Sequence, residues 1–345
     1  MYMKNVLPLP LQIASLRAVS PGDHKLIGTL AVDFPIRIPP YKTSKTADLT
    51  IDTSLSWSTP EHEASETEFI ITGTAYAENH SGPFTFALGP STRSRAAFPF
   101  HSVASNDLIK AFDFLTLSAD GRTISVLPGD WVLDQRLVLG HGTAFKMTPG
   151  TTLKFGENAS LVVQGRAEII GTEDQPVRLI PKGDKKWGGL SIFARGARVE
   201  ISHALISGIQ KPNFALDLLT GAITINNANF QFSNSIIENI NAEDALNIVR
   251  SKYALSNIKI RDVTSDGIDI DGGAGVAKQL EVSRSGGDGL DVSATVISAR
   301  GLKFQRIHDK AISVGEKSEA QISSVTFEDV GTGIASKDLS TTVAD

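Results

Sequence analysis

The chain repeats itself in the phrases DALNIV (244–249), DGIDID (266–271), DGLDVS (288–293), KAISVG (310–315) and TGIASK (332–337). Asp244, Asp266, Asp288, Lys310 and Thr332 therefore stand 22 residues apart, each followed by Ala or Gly. Behind them run two apolar columns, Leu246, Ile268, Leu290, Ile312 and Ile334, then Ile248, Ile270, Val292 and Val314. A fixed period of this length means one supersecondary unit stacked on copies of itself.

Further round the unit, Ile258, Leu280, Leu302 and Val325 form another column, and Ile260, Val282, Phe304 and Phe327 the next. Their last step is longer by one residue, which predicts a single-residue insertion in a turn. Apolar residues at i and i+2 with polar ones between are a strand pattern, because successive side chains face opposite sides. Each unit thus holds at least two short strands, with Gly, Ser, Asn and Asp at the corners. The Leu and Asn signature of leucine-rich repeats is missing. The pattern predicts an all-β chain whose residues 123–345 form a right-handed parallel β-helix of about 22 residues per rung.

Outward positions agree with that stacking. Lys259, Glu281 and Lys303 fall in one column, Asp262 falls beside Arg284, and Arg306 beside Asp329, so opposite charges meet on neighbouring rungs. Residues 1–122 lack the period and carry β-type stretches such as Phe69–Ala75 and Phe84–Leu88 among Pro, Ser, Thr and Gly, which predicts a separate, sandwich-like β domain.

Composition narrows the function classes. The 345-residue chain has a net charge of −5, which offers no overall basic field, and no stretch interleaves aromatic with basic residues, so nucleic acid is not an expected partner. No apolar run approaches the roughly 20 residues that span a bilayer as a helix. Without cysteine there is no disulfide or thiolate chemistry. The apolar run from Val6 to Ala14 follows Lys4, but Pro8 and Pro10 interrupt it and no convincing signal-peptide cleavage site follows.

The run PGDWVLDQRLVL (128–139), then PGTTLKFGENASLVVQGRAEIIGTEDQPVRLIP (149–181), then WGGLSIF (187–193) resembles the entry into β-helices of the pectate-lyase-like superfamily, which includes many bacterial surface proteins. The resemblance covers residues 123–345. It implies a carbohydrate ligand, often an acidic polysaccharide, held along an outer face, and an extracellular or cell-surface location. It does not extend to polygalacturonase-type catalysis. Thr264-Ser265-Asp266-Gly267, Gly286-Gly287-Asp288-Gly289 and the run from Lys310 to Gly315 match those enzymes' motifs only at Asp266 and Asp288. Gly287 stands for one aspartate, Lys310 for the histidine, and no Arg-Ile-Lys follows.

Two adjacent rungs are unusually acidic, with Asp266, Asp269, Asp271, Glu281, Asp288 and Asp291 against Lys278 and Arg284. If Leu246, Ile268 and Leu290 point inward, then Asn247, Asp269 and Asp291 point outward in one column, and this column pairs like with like. Three readings are open. Asp269, Asp271 and Asp291 share a calcium ion; or one carboxyl keeps its proton and the pair does acid and base work; or both are solvated while Asp266 and Asp288 cap corner amides. Lys310 would relieve the acidic corner stack by a salt bridge, or act as a base, and His308 at the neighbouring corner would donate a proton. The catalytic candidates are therefore Asp269, Asp291, Lys310 and His308, with calcium as the candidate cofactor. Trp131 and Trp187 are candidates for stacking on sugars.

The expected function is a surface or secreted β-helix that engages a polysaccharide, in its enzymatic form a calcium-dependent lyase and, as second choice, a glycoside hydrolase. The alternative is a non-catalytic structural or adhesin module of a larger surface protein.

Overall fold

The computed structural model describes residues 104–345 apart from 141, 158 and 212–218. It also describes the strands Tyr2–Lys4, Leu11–Val19, Leu26–Leu30, Ile36–Ile38, Asp48–Thr50, Leu55–Trp57, Ile70–Ala77 and Phe84–Leu88. The chain divides into two compact units, Met1–Pro99 and Phe100–Asp345. In the first, Leu11–Val19 pairs antiparallel with Leu26–Leu30, Ile36–Ile38 and Ile70–Ala77, and Ile70–Ala77 pairs with Phe84–Leu88.

The second unit is a parallel β-helix of about nine coils. Each early strand pairs in parallel with the strand three places further on, as Ala144–Met147 does with Ala167–Ile170. A coil therefore has three faces, one more than the minimum that the periodicity required. The additional face, Ser251–Ser256 in one coil, reads weakly because Gly273, Ala274 and Gly275 follow beneath Ser251, Lys252 and Tyr253. From Asp244 onward the ladder continues round the corners, so that Asp244–Val263, Asp266–Ser285 and Leu290–Gly315 are each one continuous strand bent at its corners. At the N-terminal end the helix Ser105–Ala111 and the strand Leu115–Leu117 belong to this unit, the latter antiparallel to Thr123–Val126.

The columns read from the sequence stack as expected. Leu246 lies on Ile268 and Ile268 on Leu290, with Ile312 on Ile334 at the far end. Each of Leu246, Ile268, Leu290 and Ile312 is at most 1% exposed. Burial of such a side chain is worth about 1.5–3 kcal/mol, so the inward columns supply the main cohesive force between coils.

Corners are made by residues in the left-handed region, mostly one at each corner. Arg250, Gly272, Ala294 and Glu316 form one corner column, Asn257, Gln279, Gly301 and Ser324 a second, and Asp262, Arg284, Arg306 and Asp329 a third. The left-handed conformation costs a non-glycine residue roughly 1 kcal/mol, yet Arg, Gln and Ala adopt it here. The ladder on both sides of each corner fixes the turn whatever residue stands there. The one-residue insertion lies after Gly315, where Glu316 and Lys317 both take positive φ, and the register with the preceding coil recovers between Ile307 and Lys310.

A candidate acidic site

The strands 244–249, 266–271 and 288–293 lie side by side on one face. With Leu246 and Ile248 and their equivalents turned into the core, the intervening residues form the outward column Thr224, Asn247, Asp269 and Asp291. Val249, Asp271 and Ser293 form a second column beside it. In-register neighbours of this kind are about 4.8 Å apart along the stack. The face nevertheless is not fully wet. Thr224 and Asn247 are buried and Asp269 and Asp291 are half-buried.

Asn247 organises the first pair. Its Nδ2 donates to Asp269 Oδ2 at 2.8 Å and to Asp271 Oδ2 at 3.2 Å. Asp244, at the corner of the same coil, is 2% exposed and its Oδ2 has no hydrogen-bond partner. Burial is the main reason that its pKa is pushed up to about 7; a hydrogen bond with Thr220 works against this, and the charges of Asp266, Glu243 and Asp271 add to it. Asp269 is pushed up to about 8, first by burial and then by the neighbouring carboxylates of Asp244, Asp271 and Asp291, while the Asn247 amide opposes the shift. Asp291 is raised too, chiefly by burial. The Ser313 hydroxyl opposes that from close by, without a well-formed hydrogen bond, and Lys337 and Lys310 oppose it through their charge. Burial and like charge both disfavour the ionised form, so the carboxyls of Asp244, Asp269 and Asp291 together resist full ionisation near neutral pH.

The corner column behaves differently. Asp266 Oδ1 accepts the backbone N–H of Asp288 at 2.7 Å, and Asp288 Oδ1 accepts the backbone N–H of Lys310 at 2.9 Å. Each carboxylate thus caps an amide of the next coil, where an Asx turn would have capped one of its own coil. The Lys310 ammonium ends the stack, 3.0 Å from Asp288 Oδ1 and hydrogen-bonded to Asp309. Burial pulls the Lys310 pKa down, but the hydrogen bonds to Asp309 and Asp288 outweigh it and hold the ammonium above the usual lysine value. Lys310 is therefore a fixed positive charge, as the salt-bridge reading required, and is poorly suited to remove a proton. The His308 side chain is exposed beside Asp309, at the place where the register recovers, and no contact joins it to Asp269 or Asp291 among the described residues.

The donor set also bears on calcium. Asp269 and Asp271 spend oxygens on the Asn247 amide, and among the described residues no group of three or more His, Asp or Glu is arranged to hold a metal ion. Asp269, Asp271 and Asp291 as placed do not fit a calcium shell of six to eight oxygens. Of the two tryptophans, Trp187 is fully buried and stacked on Phe155 at 3.8 Å, which removes it from any ligand, and Trp131 is half-buried with its indole N–H on the Leu127 carbonyl. Asp244 is the member of the site that the sequence reading placed only in a corner column. Its period put it there, but only its burial shows that it shares the field of Asp269.

No protein-family model, curated protein or solved structure matches this chain.

Proposed function

We propose that this protein is a surface or secreted β-helix of the pectate-lyase-like kind that engages a polysaccharide along its outer face, and that Asp269 and Asp291 cleave it, Asp269 as the acid and Asp291 as the nucleophile. The observation that supports this reading most is the in-register pair itself, two half-buried carboxyls on adjacent strands whose pKa values are both raised, that of Asp269 to about 8. Retaining glycoside hydrolases place their two carboxyls about 5 Å apart, close to one strand spacing. In that chemistry the Asp269 carboxyl protonates the oxygen of the leaving sugar as the glycosidic bond breaks. The Asp291 carboxylate bonds to the anomeric carbon, and water then releases the sugar with its proton returned to Asp269. A lyase would need a base and a cation at the uronate carboxyl, and neither Lys310 nor the carboxylate set is arranged for those tasks.

The test is release of new reducing ends from a panel of neutral and acidic polysaccharides. Asp269→Asn and Asp291→Asn should each remove turnover while leaving a cooperative thermal transition no lower than that of the wild type, and turnover retained in both would reject the site. One observation favours a second reading, a non-catalytic module of a larger surface protein. Asp266 and Asp288, the two matches to the polygalacturonase motifs, are both committed to backbone amides. Absence of product on every substrate would turn the balance to that reading.

A further inference from the structure

The acidic face has an open end and a deep end. Asp271 is exposed, Asp269 is half-buried and Asp244 is 2% exposed, so three carboxyls descend from solvent to the coil corner. After burial, the charge of Asp244 is what raises Asp269 most, which puts these two carboxyls against each other, and Asp271 acts on both. The Asp244 Oδ2 at the deep end has no hydrogen-bond partner. Asn247 is the amide that serves Asp269 and Asp271, and it spends both of its N–H groups on one oxygen of each. An acidic surface by itself needs only water, but a buried carboxyl oxygen without a donor lacks something that a ligand can supply.

The charges that act most strongly on Asp244 and Asp269 are all negative: Asp266, Glu243 and Asp271 on the first, and Asp244, Asp271 and Asp291 on the second. Cations appear only towards the next coils, where Lys310 is held by Asp288 and Asp309, and where Lys310 and Lys337 act on Asp291. Elsewhere on the later coils an acid meets a base, as Glu238 meets Arg261 and Asp262 meets Arg284. Asp244, Asp269 and Asp271 have no such counter-ion among the described residues. An acidic polymer would meet like charge here. A hard dication would need a shell of six to eight oxygens, which this set does not offer. An ammonium group carries three N–H donors and is satisfied by a few acceptors. Asp244 Oδ2 and the Asp271 oxygen that Asn247 leaves free are acceptors of that kind.

We infer that Asp244 and Asp271, around Asp269, form a subsite for a protonated amino group, so that the polysaccharide engaged is built from amino sugars with a free ammonium and not from uronic acids. This rests on the reading of Asp269 and Asp291 as the cleaving pair, and it names the class of sugar that the pair receives. Asp269 and Asp291 lie about one strand spacing apart, close to the width of one sugar ring. A ring held between them therefore brings its own substituents to the carboxyls beside Asp269. The exposed Asp271 is the mouth of the subsite and Asp244 its floor. An ammonium entering it supplies the missing positive charge, so Asp244 ionises and its proton leaves to solvent, while Asp269 keeps its own for the leaving oxygen.

The experiment is isothermal titration of the full chain at pH 6 with glucosamine oligomers, the same oligomers N-acetylated, oligogalacturonate and spermidine, in two buffers of different ionisation enthalpy. Asp271→Asn is titrated alongside, since an exposed side chain can be changed without loss of the fold, and its melt is compared with the wild type. The free amine should bind about tenfold more tightly than the acetylated form, and Asp271→Asn should lose that advantage while keeping its affinity for the acetylated form. Up to about one proton should be released per oligomer bound, whereas a patch of ordinary surface carboxylates, already ionised at pH 6, would release none. Equal affinity for the two forms, tighter binding of oligogalacturonate, or binding without proton release would overturn the subsite. Spermidine bound as tightly as the glucosamine oligomer would show a cation site that does not read sugar, and would overturn the amino-sugar assignment. If the free amine binds through Asp271 but no reducing ends appear, the subsite stands and the cleaving pair fails. If a neutral polymer is cleaved in an Asp269-dependent way and the free amine has no advantage, the pair stands and the subsite is rejected.

Discussion

The coils from Asp244 onward and those before it are built from the same three strands, but they carry their chemistry in different places. In the later coils the spacing is nearly constant, so residues of one kind fall into columns and the face itself becomes the site, as with Asn247, Asp269 and Asp291. In the earlier coils Leu161 pairs with Leu190 and Leu190 with Ile223, so the turns are longer and unequal. The polar groups there gather at corners and grooves, as with Arg122, Arg166 and Arg195. Constant turn length makes columns, and unequal turn length makes concavities.

The largest test of that difference is a pair of glycine substitutions. Gly289 has no room, since a Cβ would lie 2.5 Å from Phe304 Cδ1 and 2.7 Å from the Ala311 carbonyl oxygen, whereas Gly142 has space but a φ of +86°. Gly289→Val should cost about 3 kcal/mol or more, through overpacking against backbone that cannot retreat. Gly142→Ala should cost only about 1 kcal/mol of backbone strain. Thermal denaturation followed by circular dichroism would show the contrast, and equal shifts would deny it.

Next comes pH. A carboxyl whose folded pKa stands above its unfolded value near 3.9 binds more protons folded than unfolded between those two values. Asp269, raised to about 8, and Asp244, raised to about 7, therefore contribute a loss of stability as pH rises from about 4 to 8. Asp269→Asn should flatten that decline and raise stability at pH 8 by up to about 5 kcal/mol. Urea melts at pH 5 and pH 8 would measure it, and an unchanged slope would show that the acidic column is not the origin of the dependence.

Removing Lys310 tests the end of the corner stack. Lys310→Met leaves Asp288 buried without its counter-ion, and a loss of roughly 1–3 kcal/mol is expected. The double change with Asp288→Asn should recover part of it, and a non-additive cycle is the signature to look for. The smallest effect should come from the exposed pair Arg284 and Asp262, where Arg284→Ala should barely move the melting temperature, and less still in high salt.

Much of the later coils was legible in the sequence because stacking makes spatial neighbours out of residues at a constant interval. The inward ladders, the column of Asn247, Asp269 and Asp291, the neighbours Asp262 and Arg284, and the position of Lys310 beside Asp288 all come from that rule. The third face was not legible, because Gly273, Ala274 and Gly275 give no apolar alternation. Nor did the left-handed corners show at Arg250, Gln279 and Ala294, since none of these residues favours positive φ on its own.

The sequence by itself determined the all-β class, the 22-residue repeat and which residues of the later coils share a column, since each depends only on interval and hydrophobic alternation. Tertiary structure alone decided which of those columns are wet, since burial of Asp244 and Asn247 arises from surroundings that no interval encodes. It alone also brought Arg122, Arg166 and Arg195 together, because unequal turns hide their common corner from any fixed period. Distance along the chain predicts neighbours only where turn length is constant. Elsewhere, the path of the backbone in space decides which charges meet.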